Sequence, residues 1–400
     1  MKNCFLTYSI FSSILFFSII SILRVSYLGG ESNNSYLYAS AMSFLFSIFV
    51  VVPYFFKKAS RIPHLVVVIL VIAGIFILAS FEGYIGSRTL NLFTVFSLPN
   101  ILIGTYLGSQ SGLSRITKWL DIVMLIITLG LIMSLDEFLM AMYMGDKGYS
   151  QDKSYFACLA FLLNLFLLQF GHKFQRFSFT SNKSYMYICS LLLPVQVLLL
   201  LISGGRGGFV ALAVGVIFFF HCVRETGVKN TGRFLSIAFG AIIAIIFLGS
   251  MLSSHFLELL SNSIDRIFSY ISSSGIDLTQ TSHRDEVYEV SIKRILERPF
   301  LGYGFFSYSE VLGEWPYPHN LFLEWILQGG VFFFIFFFIF LLKQIKKLYA
   351  NLLMDESLIM LIPLLFYSLS ELMFSATYIC MPLFWFCMAY LFNYKNTQSR

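Results

Sequence analysis

The sequence predicts an all-α polytopic membrane protein with about twelve transmembrane helices and one large periplasmic loop containing an amphipathic helix. Three observations carry this expectation. The 400-residue chain is 58% hydrophobic and only 12% charged, with a mean hydropathy of +0.78, and a soluble domain needs more charge than that to cover its surface. The apolar residues come in blocks long enough to cross ~30 Å of hydrocarbon at roughly 20 residues per helix. Finally, runs such as 237–248 and 331–342 are apolar on every face. A barrel would alternate instead, and lipid admits only helices or closed barrels because it offers the backbone no hydrogen bonds.

In chain order the spans fall at 4–23, 36–56, 62–81, 90–108, 118–141, 155–171, 185–202, 208–223, 234–252, 320–342, 358–375 and 377–393. The first follows Met1-Lys2 with no small-x-small cleavage site after it, so it reads as a retained helix rather than a signal peptide. Basic residues test the count. With both termini in the cytoplasm, the inner segments hold 17 of the 27 Lys and Arg residues, and the short outer loops hold five. That is the asymmetry expected of a chain oriented by its positive inner loops.

No internal repeat is visible. Residues 1–252 comprise the first nine spans, 253–319 form the outer loop, and 320–400 hold spans ten to twelve with a cytoplasmic C-terminus. A loop of that length usually carries function. Within it, 283–298 reads as an amphipathic helix capped by Ser282. Tyr288, Ile292, Ile295 and Leu296 form its apolar stripe, Glu289, Lys293 and Glu297 a charge ladder, and Pro299 its end. Such a helix lies on the outer membrane surface or over a cavity.

Four groupings could carry chemistry. Ser203-Gly204-Gly205-Arg206-Gly207-Gly208 sits at the outer end of two spans. Glycines such as Gly205 and Gly207 permit close backbone approach, the next helix presents its positive end, and Arg206 suits phosphate oxygens. The bland alternative is a tight turn with a snorkelling arginine. Pro316-Tyr317-Pro318-His319-Asn320 puts a stiffened His319 at the outer mouth of span ten, where it suits general-base work. Arg284, Arg294 and Arg298 line the loop helix, where headgroup contact or surface pairing is the simpler reading of the last two. Among carboxylates near outer span ends (Asp136, Glu137, Glu324, Glu371), Glu324 lies closest to His319 in the chain. The six cysteines are scattered, form no CxxC pair and read as packing residues. No metal-ligand spacing, cytoplasmic nucleotide motif or nucleic-acid signal is present, and no cofactor is expected.

Three stretches resemble one known family: SGGRGGFVAL (203–212), RDEVYEVSIKRILERPFLGYGF (284–305) and HNLFLEWILQGGVFF (319–333). Their order, spacing and topology are similar to the bacterial O-antigen ligase and polymerase superfamily of membrane glycosyltransferases. The family's first turn usually has Ser directly before Arg, where this chain has Gly205. The resemblance implies an undecaprenyl-diphosphate-linked oligosaccharide donor at the periplasmic face of the inner membrane, with membrane lipids and a chain-length regulator as further partners. It implies His319 as base and Arg206 and Arg284 as the catalytic cations for the diphosphate. Gly205, Gly207, Asn320, Glu324, Arg294 and Arg298 would line the substrate site. The composition, with 46 Phe and abundant Ile, Asn, Lys and Tyr, is typical of the A/T-rich genes that O-antigen polymerases resemble. O-antigen ligase activity is the neighbouring alternative. A transporter or flippase would instead show related halves and a mid-membrane site.

Overall fold

The computed structural model describes residues 2–23, 45, 51, 88–135, 151–227, 240, 261–262, 264–265, 271–272, 275–276, 284–305, 307, 311–313, 315, 317–352 and 354–394. The spans expected at 36–56, 62–81 and 234–252, the cap Ser282, Pro316, and the carboxylates Asp136 and Glu137 lie outside these residues, apart from positions 45, 51 and 240.

The described chain is helical, apart from one antiparallel pairing of Ile271–Ser272 (β1) with Gly275–Ile276 (β2). Among the described residues, six helices are long and apolar enough to cross a membrane, and a seventh span would be a bent pair, α1 (Lys2–Ile10) and α2 (Ser12–Leu23), which meet at 95°. The expected first span is therefore broken at Phe11. After α3 (Arg88–Leu92) and one π-helical turn comes α4 (Leu98–Gly108), followed by the short α5 (Ser114–Thr117) and α6 (Leu120–Met133). The next three are α7 (Gln151–Phe170), α8 (Lys183–Ser203) and α9 (Arg206–Thr226). The loop helix is α10 (Arg284–Glu297). It is followed by α11 (Leu321–Asn351), α12 (Leu361–Phe374) and α13 (Pro382–Asn393). At 12 residues α13 falls short of the full span expected at 377–393, because the 3₁₀ turn Tyr378–Cys380 precedes it.

Helix α7 is the hub, packing against α6, α8, α9 and α12 and buried along nearly all its length. Polar side chains tie it in. Asn164 donates to the Cys189 carbonyl (2.8 Å) and to Gln196 Oε1 (3.0 Å), and Gln196 in turn donates to Thr128 (2.8 Å). Such interhelical bonds hold bundles together where lipid supplies no hydrophobic drive. Small residues do the same for α4 and α13. A Cβ on Gly104 or Gly108 would stand 2.5 or 2.3 Å from the carbonyls of Phe386 and Tyr390.

Two of the sequence stretches meet in one clamp. Helix α11 breaks at Gly330 (φ 69°, ψ −175°), which frees backbone groups that a continuous helix would bond. The turn after α10 replaces them. Tyr303 N–H donates to the Leu327 carbonyl (2.9 Å), Gly304 N–H donates to that of Gln328 (2.8 Å), and Val331 N–H donates to Pro299 (2.8 Å). Only glycine fits this contact, since a Cβ on Gly330 would lie 2.1 Å from the Phe300 oxygen and one on Gly302 2.5 Å from Gln328.

Helix α10 begins and ends where the sequence places it, but it buries a different face. Val287 and Ser291 are fully covered against α11, and Tyr288 and Ile295 are half-buried. Ile292 and Leu296 point outward with Phe300 and Leu301, and Phe300 stacks on Phe332 of α11 (5.8 Å). The apolar stripe is thus divided between the bundle and the outer surface.

All six cysteines carry free thiols, four of them buried. At the end of the bundle opposite the glycine-arginine turn, Arg176 donates to both oxygens of the buried Asp121, with Nε at 3.0 Å, and Tyr185 adds a third bond (3.0 Å). Lys173 pairs with Glu356 nearby (2.9 Å).

Candidate functional site

The glycine-arginine turn is built by two opposed requirements. Gly204 ends α8 in the left-handed region (φ 62°), and Gly205 caps α9 without a side chain, so Arg206 becomes the first helical residue. The opening amides of α9 therefore have no side-chain acceptor from the cap. The glycines also have a second use. A Cβ on Gly205 would stand 2.4 Å from Ser154 Cβ, one on Gly208 2.2 Å from Ser154 Oγ, and one on Gly207 1.9 Å from Tyr155 Oη. Ser154 seals the contact by donating to the Gly205 carbonyl (2.9 Å). Close approach by the start of α7 explains three of the four glycines.

His319 sits in the left-handed region (φ 54°), where non-glycine residues are uncommon. Asn320 fixes it there by capping α11, accepting from Phe322 N–H (3.0 Å) and Leu323 N–H (3.2 Å). The ring packs on Tyr317 at 4.3 Å, and the Tyr317 hydroxyl donates to the Ser375 carbonyl (2.7 Å). Burial, reinforced by the Arg284 charge, pushes the imidazole pKa down to about 4, although the Ser375 backbone favours its protonated form. At neutral pH the ring is therefore uncharged and can accept a proton. Its Nδ1 is buried and has no hydrogen-bond partner among the described residues.

Tyr155 connects the two halves. It is fully buried, its hydroxyl lies beside Gly207, Gln151 and Ser375, and Arg284 acts electrostatically on both Tyr155 and His319. The start of α7, the α8–α9 turn, the start of α10, the start of α11 and the end of α12 thus meet at one end of the bundle. Arg206, Arg284 and His319 all come from these segments. No sequence motif marks Tyr155 or Ser375, because one tyrosine in an apolar span and one serine after a helix read as packing and capping.

The remaining expected residues have local partners. Glu324 is buried against the turn after α12, where it accepts from the Thr377 hydroxyl and from Tyr378 N–H (3.4 Å). It braces α11 against that turn. Arg294 pairs with Glu297 (3.0 Å), which also accepts from Tyr303 (2.7 Å), and Arg298 covers the Tyr303 ring (4.8 Å). Both arginines lie on the exposed side of α10. Glu297 is drawn to Arg294 and Tyr303 in place of the expected ladder. Glu371 is engaged by Tyr367 one turn earlier.

Part of the chain is similar to known proteins. Residues 188–338, which span the α8–α9 turn, α10, the clamp and His319, match the family described as O-antigen ligase. A relative, the ComP-specific O-oligosaccharyltransferase of Acinetobacter baylyi, is 29% identical over 136 residues. That alignment covers 30% of this chain and 24% of the relative, so the chain spans about a quarter of that protein's length. No solved structure matches. The apolar helices make the chain a membrane protein, and its residues 188–338 are similar to the family described as O-antigen ligase.

Proposed function

We propose that the chain transfers a glycan from an undecaprenyl-diphosphate carrier at the periplasmic face of the inner membrane, joining repeat units as an O-antigen polymerase. The observation that carries the transfer chemistry is His319: neutral, held in place by its backbone, with Nδ1 open and Arg284 nearby. An acceptor hydroxyl gives its proton to His319 as its oxygen bonds the first sugar carbon. The bond from that carbon to the diphosphate breaks, and the lipid diphosphate leaves as an anion. Arg206, the opening amides of α9 and Arg284 stabilise that charge. Gly205 and Gly207 let the start of α7 close against this helix end, Asn320 sets the histidine, and Glu324 braces the helix beneath it. Arg294 and Arg298 face the membrane surface or the glycan. Basic residues gather at the opposite end of the bundle, which supports a periplasmic site under the positive-inside rule.

A second reading is transfer of a finished glycan to a different acceptor, as an O-antigen ligase does. The match of 188–338 to a family of that description favours it, and so does the A. baylyi relative's name. The lipopolysaccharide ladder of a strain lacking this gene separates the two. Core with a single repeat unit means polymerase, and bare core with long glycan retained on undecaprenyl diphosphate means ligase. An unchanged ladder rejects both. Arg206→Ala and His319→Ala each abolish transfer at normal protein level, and an active variant at either position removes that residue from the mechanism.

A further inference from the structure

Three buried polar atoms near the site have no hydrogen-bond partner among the described residues: Tyr155 Oη, Ser375 Oγ and His319 Nδ1. An unsatisfied buried polar atom is costly, so each one calls for a reason. Here they occur together. The Tyr155 hydroxyl lies within reach of the Ser375 and Gln151 side chains without an aligned bond to either, and the Ser375 backbone lies against His319. Tyr155 itself is 0% exposed. On its other side the same hydroxyl reaches the second residue of α9, where only glycine leaves it room. Tyr155 and Ser375 therefore stand between the helix end that would cradle a diphosphate and the imidazole that would take a proton. Whatever binds there bridges an anion to the base, and it needs polar groups to satisfy two hydroxyls.

We infer that Tyr155 and Ser375 form a sugar subsite that binds hydroxyls of the first sugar of the donor, the one joined to the diphosphate. A pyranose carries adjacent hydroxyls that donate and accept, as Tyr and Ser hydroxyls do. In this site the sugar completes hydrogen bonds that the free protein leaves open, and its anomeric carbon lies on the His319 side of the α9 terminus. Both residues lie outside the matched stretch 188–338, so this subsite is particular to how the remaining helices close over the motif. They are binding residues and take no proton in the reaction. The inference rests on the proposed lipid-diphosphate donor.

The test uses the full-length protein in detergent and follows thermal unfolding against two titrants, undecaprenyl-diphosphate-linked oligosaccharide and undecaprenyl diphosphate alone. Tyr155→Phe removes one orphaned hydroxyl and keeps the ring. Without titrant its unfolding midpoint stays level or rises, because no bond is lost. It weakens binding of the glycan-bearing lipid by about tenfold, the loss of one water-shielded hydrogen bond. Binding of undecaprenyl diphosphate alone is unchanged. Ser375→Ala, a second and milder variant, behaves alike. Equal loss for both titrants, or no loss for either, overturns the subsite. A wild-type protein that binds neither titrant overturns the donor reading itself, so the two failures remain distinct.

Discussion

At the scale of single residues, His319 is the proposed base. Its left-handed backbone is an uncommon conformation, costing of order 1 kcal/mol or more, and the Asn320 cap holds it. Burial and Arg284 bring its pKa to about 4, below the ordinary value of 6.5. The unfolded chain therefore binds a proton between pH 6.5 and 4 that the folded chain refuses. The stability tied to this group is complete above pH 6.5 and is lost as pH falls toward 4. The same shift sets the activity profile. The acid limb of kcat/KM, which reports the free enzyme, falls near pH 4 rather than at 6.5, and a limb at 6.5 or above in a pH–rate series would remove His319 as the base. His319 and Arg284 stood out in the sequence because few residue types can do the chemistry proposed for them. Glu324 and Asn320 looked equally chemical in the sequence, yet turn amides and a helix start engage them.

At the scale of elements, the clamp between the 299–304 turn and the break in α11 links the arginine helix to the histidine helix. The two sequence stretches that meet there bond through each other's backbone. Gly330→Ala meets both the left-handed backbone and the Phe300 oxygen at 2.1 Å, so it should cost more than ~2 kcal/mol and lower the thermal midpoint by several degrees. Gly227→Ala supplies the control, since its φ is 63° with nothing within 4 Å of an added Cβ. It should cost only about 1 kcal/mol. Equal midpoints for the two variants in a detergent melt would mean that the clamp contributes nothing. Helix α10 was readable in extent from its pattern and its proline. Its buried face was not, because the stripe residues have two apolar places to go, the α11 surface and the outer side.

At the scale of the whole molecule, the two ends of the bundle are chemically different. One gathers the candidate site, and the other gathers basic residues and the Arg176–Asp121–Tyr185 cluster. Asp121 and Arg176 are almost wholly buried, and removing one partner leaves an uncompensated charge. Asp121→Ala should therefore lose about 3–5 kcal/mol, read from chemical denaturation. Lys173→Ala disrupts a pair whose Glu356 side is half-exposed and should lose less than about 1 kcal/mol. Similar losses for both would show that burial does not set the strength of these pairs.

The sequence by itself determined the helical membrane class, six of the spans, the extent of α10 and the three stretches that resemble the family. These are local matters: apolar length against bilayer thickness, helix-breaking residues, and charged or titratable groups where apolar ones would be expected. Only the tertiary structure decided the rest. Pairings between distant parts of the chain, such as Gly330 with Phe300 or Tyr155 with Ser375, leave no period or spacing in the sequence. A glycine required by a tyrosine hydroxyl on another helix reads the same as one required by a ligand. The contact that distinguishes them exists only once α7, α9 and α12 have packed.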